Sequence, residues 1–181
     1  MPIRINPSSV MLLSILLGGC ASHPGRISQL PTQSRDPVSS SRQAVVRYAL
    51  ALKGTPYRWG KESPTEGFDC SGFVQHVFSR HGTRLPRTAR QMANHLHPID
   101  QHTRQPGDLV FFNTTGEPFS HVGIYVGNGA FVHSSSVRGQ VIVSALNGHY
   151  WLEHFLGFRR PAFGHSLPCN AEPRQTAIPC P

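Results

Sequence analysis

The chain has 181 residues, 17 Lys and Arg against 9 Asp and Glu, and a formal charge of +8. That length leaves room for one ordinary domain with its own core and little besides. The basic balance suits anionic partners, yet no basic run interleaves with aromatics and no nucleic-acid motif occurs, which argues against a nucleic-acid-binding module.

Residues 1–19 hold a single charge, Arg4, an apolar stretch from Val10 to Leu17, and the small pair Gly18-Gly19. This is the layout of a secretory signal peptide, too short to span a bilayer as an ordinary helix. Leu17-Gly18-Gly19-Cys20 also looks like a bacterial lipobox, which implies cleavage before Cys20 and acylation (palmitate among the chains) at that residue. Each buried methylene contributes about 0.8 kcal/mol, so several chains anchor firmly. Ala21 is not the aspartate that resembles an inner-membrane retention signal, and the expected location is the outer membrane, facing the periplasm. Residues 20–40 are Ser, Pro, Gln, Arg and Thr with few apolar side chains, a composition that supports no core and reads as a tether. A flexible linker of about 20 residues spans roughly 25 Å.

The expected catalytic domain is 41–160. A helix is predicted over 41–53, with Val45, Ala49 and Leu52 on one face and Gly54 and Pro56 as stop signals. A loop bearing Tyr57 and Trp59 follows. In Gly67-Phe68-Asp69-Cys70-Ser71-Gly72-Phe73-Val74, Asp69 is a good N-cap, and Phe73, Val74, Val77 and Phe78 repeat at helical spacing. Cys70 therefore falls in a first turn, where free N–H groups and the helix dipole favour the thiolate, which is the nucleophilic form. A shorter helix is predicted near 89–95, then strands near 108–112, 121–126, 131–134, 141–144 and 155–159. Phe111, Phe112, Ile124, Val126 and Phe131 read as sheet core. Helices first and strands afterwards imply an α+β fold with an antiparallel sheet of about five strands.

His121 opens one strand and His133 closes the next, with Gly127-Asn128-Gly129 as the turn between them. A hairpin brings the two histidines together. A cysteine nucleophile needs a base within reach and a polar group that orients that base, and Cys70, His121 and His133 can fill these roles.

The ordered blocks Gly54-Thr55-Pro56-Tyr57-Arg58-Trp59-Gly60, Phe68-Asp69-Cys70-Ser71-Gly72-Phe73-Val74, Leu85-Pro86-Arg87-Thr88-Ala89, Gln105–Phe112, His121–Gly127 and His133-Ser134 resemble the NlpC-type cell-wall endopeptidases, which are papain-like cysteine peptidases. The resemblance implies hydrolysis of peptide bonds in peptidoglycan, with Cys70 as nucleophile, His121 as base and His133 as its orienting partner; a monomer is expected. It implies that Tyr57 lies beside the nucleophile and helps bind substrate or oxyanion. Asp69 and Arg87 join the substrate-binding candidates; Arg58 and Arg87 stand where a substrate carboxylate can be met, with solvated surface positions or structural hydrogen bonding as the equal alternative. Family members cut either within a stem (D,L) or at the cross-link (D,D), and a lipid-anchored single domain looks more like the cross-link cutters. The alternatives are a non-catalytic wall-binding lipoprotein and an acyltransferase using the same three residues.

No cofactor is expected. His95-Leu96-His97 and the two strand histidines lack the His-Glu-x-x-His or Cys-x-x-Cys spacing of a zinc site. With Cys20 acylated and Cys70 free, Cys169 and Cys180 remain in the irregular tail 161–181. Export permits their pairing as a disulfide; two free thiols or pairing with another chain are the alternatives.

Overall fold

Helix α1 (Pro37–Ala51) opens the described part of the chain, which in this computed structural model is residues 36–163. It starts four residues before the expected position. The Ser41 hydroxyl donates back to the Pro37 carbonyl at 3.0 Å inside the helix, and Pro37 occupies the first turn, where its missing N–H costs nothing. Val45 and Ala49 are fully buried on the face predicted for them. The signal peptide, Cys20, most of the tether, Cys169 and Cys180 lie outside the described residues.

A two-stranded ribbon of β1 (Glu62–Ser63) and β2 (Gly67–Phe68) leads into α2 (Cys70–Ser79). Helix α3 (Ala89–His95) follows, begun by a capping box in which Thr88 and Gln91 satisfy each other's backbone amides. Next come β3 (His97–Ile99), a 3₁₀ turn at Gln101–Thr103, β4 (Leu109–Phe112), β5 (His121–Gly127), β6 (Ala130–Ser135), β7 (Gln140–Ala145), α4 (His149–Glu153) and β8 (Phe155–Arg160). The main sheet is antiparallel in the order β3-β8-β4-β5-β6-β7. The α+β class holds, with six strands in the main sheet instead of about five. Strand β3 hides in the sequence because Pro98 sits at its centre; proline is tolerated there because β3 is an edge strand.

Alternation along the strands divides the sheet into two working faces. Leu109, Phe111, Val122, Ile124 and Val132 pack with Phe73, Val74, Val77 and Phe78 of α2, each of these four helix residues being fully buried. Burial of such a side chain stabilises by about 1.5–3 kcal/mol, so α2 is held to this face as a unit. Val110, Phe112, Tyr125, Phe131 and Phe158 form the opposite core, against which Trp151 of α4 packs. His121 and His133 share this second face, by strand parity.

Asp108, fully buried before β4, joins the first and last elements. It accepts from Arg42 of α1 at 3.0 Å and from Arg160 of β8 at 2.9 and 2.8 Å, and also from the Gln105 amide at 2.7 Å. Contacts to the body of the fold continue past residue 160. The Arg42 guanidinium lies 4.4 Å over the Phe163 ring, which also packs on Phe78, and Thr83 donates to the Ala162 carbonyl.

Candidate active site

Cys70 is the first residue of α2. Asp69 caps the helix, accepting the Gly72 amide at 2.6 Å on Oδ1. The same carboxylate takes the Gly60 amide at 3.0 Å on Oδ2, which draws the 58–61 loop against the helix start. Gly72 makes this approach feasible: a Cβ there would lie 2.3 Å from the Lys61 carbonyl oxygen. The Cys70 thiol points at the Ser120 carbonyl, 3.9 Å away, while the Val122 amide on the other side of His121 also acts on the sulfur. Nucleophile and strand thus meet at the first residues of β5.

His121 and His133 meet as the hairpin requires, with His121 Nε2 and His133 Nδ1 sharing one proton over 2.8 Å. Gly123 lies between them in the strand face; a Cβ there would press on Phe131 at 2.6 Å and on the His133 Cβ at 3.2 Å, so only glycine lets β6 seat its side chains against β5. His133 Nε2 lies 3.0 Å from Ser144 Oγ of β7. Trp151 stacks on His121 at 5.7 Å between ring centroids and meets His133 edge-on at 5.0 Å. Ser134 of β6 donates to the Phe68 carbonyl at 2.8 Å, tying the histidine strand to the chain just before Cys70.

The electrostatics depart from the sequence expectation. Burial, followed by the adjacent Asp69 charge, pushes the Cys70 thiol up to about 11, and the amides of Val122, Ser71 and Cys70 offset this only in part. Burial likewise lowers His121 to about 4, and burial followed by proximity to His121 lowers His133 to about 2. His133 is 1% exposed and His121 9%. The predicted thiolate at the helix N-terminus is therefore corrected to a neutral thiol beside neutral imidazoles: withdrawal from water and a neighbouring carboxylate outweigh the dipole.

Tyr57 stands beside this centre, as its phenol is raised by burial, then by the nearness of Cys70 and Asp69, and so remains a donor at neutral pH. Asp69 and Arg87 both line the cleft that holds Cys70, and they are bonded to each other and to the helix start. Arg87 spans the Asp69 carboxylate with bonds of 3.1 and 2.7 Å, donates to Ser71 Oγ at 3.0 Å, and pairs with Glu62 through Nε at 3.1 Å. A guanidinium so occupied, and a carboxylate already accepting two backbone amides, brace the nucleophile's helix. Arg58 is exposed and donates to the Tyr57 carbonyl.

Two clefts flank the centre. One, of about 630 Å³, is lined by Cys70, Trp59, Ser71, Arg87, Phe119 and Ser120 among others; the second, of about 330 Å³, by His121, His133, Arg138, Ser144, Tyr150 and Trp151 among others. Sequence reading missed Ser144 and Trp151. Ser144 is one polar residue in a strand pattern, and Trp151 lies in a helix of five residues, too short for periodicity to reveal. Their signal is spatial, through the histidine rings.

The NlpC/P60 family model matches residues 54–160. Murein DD-endopeptidase MepH of Escherichia coli (strain K12) is 45% identical over 128 residues, covering 68% of this chain and 47% of that protein. Bifunctional muramidase/DL-endopeptidase CwlT of Bacillus subtilis (strain 168) is 42% identical over 120 residues, covering 65% and 36%. The chain thus spans about half or less of these two relatives. Among solved structures, the peptidoglycan hydrolase RipB of Mycobacterium tuberculosis superposes with a TM-score of 0.60 at 30% identity, over 81% of this chain and 73% of that one.

Proposed function

Since the chain belongs to the NlpC/P60 family, we propose that it is a cysteine peptidase that hydrolyses peptide bonds of peptidoglycan, with the D,D cross-link favoured over the D,L bond within a stem. The observation that carries this reading is the hydrogen-bonded pair His121–His133 at the strand start against which the Cys70 thiol lies. The similarity to MepH and CwlT supports wall peptides as the substrate class; their printed names divide between D,D and D,L cleavage. The preference for the cross-link rests on the layout read in residues 1–40, a signal peptide and lipobox followed by a tether.

Catalysis in this reading starts from the neutral pair. As substrate displaces water, the Cys70 proton passes to His121 Nδ1, the nitrogen left free by the bond to His133, and the sulfur attacks the scissile carbonyl. The Cys70 amide and the Tyr57 hydroxyl stabilise the tetrahedral oxyanion. The imidazolium of His121 protonates the leaving amine as the C–N bond breaks and a thioester remains. Water, deprotonated by His121, then attacks the thioester, and the sulfur leaves as it regains the proton. His133 orients His121 throughout.

We further infer that Cys20 carries the acyl chains that hold the protein at the outer membrane, facing the periplasm; mass spectrometry of the mature N-terminus tests this, and an unmodified Cys20 would refute it. Incubation with purified cross-linked muropeptide dimers and with monomers tests the bond. Conversion of dimers to intact monomer stems is expected, and shortened monomer stems would overturn the D,D preference. Cys70→Ala and His121→Ala should abolish turnover, and His133→Ala should leave a residual rate. Peptidoglycan cleavage by Cys70→Ala at the parent's rate would end the mechanism.

A further inference from the structure

Ser144 lies on β7 diagonally across from His133. In the β6–β7 ladder His133 is paired with Ile142 and Phe131 with Ser144, so Ser144 is two residues along from the position opposite His133 and faces the same side of the sheet. That side is otherwise aromatic around the ring: Phe131 stacks on His133 at 4.8 Å and Trp151 meets it at 5.0 Å. The hydroxyl, 3.0 Å from Nε2, is the hydrogen-bond partner of that nitrogen among the described residues.

We propose that Ser144 is a positioning residue that holds the histidine pair in the one tautomer the reaction can use. This rests on the reading of Cys70, His121 and His133 given above. For His121 Nδ1 to accept the thiol proton, the ring's own proton must sit on Nε2 and be donated to His133 Nδ1 across 2.8 Å. His133 must then carry its proton on Nε2, and Ser144 Oγ is placed to accept it. The imidazolium form of His121 makes the same demand, since its Nε2–H again needs a bare Nδ1 on His133. Both states that the cycle visits therefore require the arrangement in which His133 donates to Ser144. Without the hydroxyl, His133 Nε2–H would lose its hydrogen-bond partner among the described residues, in a ring that is 1% exposed, and an unpartnered donor there is costly. The proton then shifts to Nδ1 of His133, which donates to His121 Nε2. That leaves the His121 proton on Nδ1, the nitrogen that must be bare to take the thiol proton, and the transfer is blocked.

Nitrogen-15 spectra of the histidine rings at pH 7.5, recorded on Cys70→Ala protein carrying Ser144, Ser144→Ala or Ser144→Thr, test this directly. The parent and the threonine variant should show both rings protonated on Nε2, and the alanine variant should show a population of His121 protonated on Nδ1. In protein retaining Cys70, Ser144→Ala should lower kcat on cross-linked muropeptides about tenfold, the equivalent of about 1.4 kcal/mol, with KM unchanged, and Ser144→Thr should restore most of it. Identical ring spectra in the serine and alanine proteins would overturn the proposal, as would a parent His133 protonated on Nδ1. The spectra decide the role of Ser144 whether or not muropeptides prove to be the substrate.

Discussion

A neutral Cys70 makes a quantitative claim about how the thiol reacts. In a protein carrying Cys20→Ser, Cys169→Ser and Cys180→Ser, Cys70 is the only sulfhydryl, and its exchange rate with an aromatic disulfide reagent can be followed from pH 6 to 10. With the thiol near 11, about 0.1% is thiolate at pH 8, against roughly a quarter for a free cysteine near 8.5. The more basic thiolate is the better nucleophile, and a Brønsted slope of about 0.45 over roughly 2.5 units returns a factor of about 13. The net expectation is exchange about 20-fold slower than free cysteine at pH 8, and slower still if the cleft hinders the reagent. The logarithm of the rate should climb one unit per pH unit to pH 10 without levelling, whereas the urea-unfolded protein should level off around 8.5. A plateau with a midpoint below 8.5 in the folded protein would refute the argument, because it would mean that a resting thiolate–imidazolium pair survives burial and the Asp69 charge.

Acid should destabilise the fold well before carboxylates titrate. The folded His121 is lowered from 6.5 to about 4, so its contribution is fully present above about pH 6.5 and is lost as pH falls, reaching about 2.5 kcal/mol at pH 4.5; His133 acts in the same direction. Urea titrations across this range should show the loss and show less of it in His121→Gln, and equal stability of the parent at pH 7 and 4.5 would contradict the buried-neutral state. Arg87→Ala should cost about 1–3 kcal/mol by leaving the Asp69 carboxylate without its counter-ion, a figure reduced from the fully buried case because the Arg87 side chain is 33% exposed. Thermal unfolding checks it, and a change below about 0.5 kcal/mol would return Arg87 to the pool of substrate contacts. Trp151→Ala should lower stability by about 2–3 kcal/mol and turnover with it, while Trp151→Phe keeps an aromatic face on His121 and should retain most activity; equal activity in both variants would remove Trp151 from any role in placing the base.

The parts of the site that sequence exposes are those set by local rules. Asp69 as a cap, Cys70 in the first turn, and the apolar positions of α2 are written within ten residues, and the strand alternation with its Gly127-Asn128-Gly129 turn places both histidines on one face. Asn128 indeed turns with φ 51°. What stayed hidden depends on contacts between distant segments. The charge state of Cys70 follows from how deeply β5 buries it, and the duties of Arg87 from partners at Glu62, Asp69 and Ser71 that only the fold assembles. Strand β3 was masked by Pro98, and α4 by its brevity, so the aromatic wall on His121 had no sequence signature.

The ion knot at Asp108 also has a mechanical meaning. Arg42 belongs to the first element of the described residues and Arg160 to the last, and both grip one carboxylate. A pull applied at the two ends of the domain would load these bonds before it reached the hydrogen-bond ladders of β4, β5 and β6. Asp108 therefore works as a rivet between the ends, and the strands that carry the histidines sit inboard of it, shielded from strain that enters through the backbone.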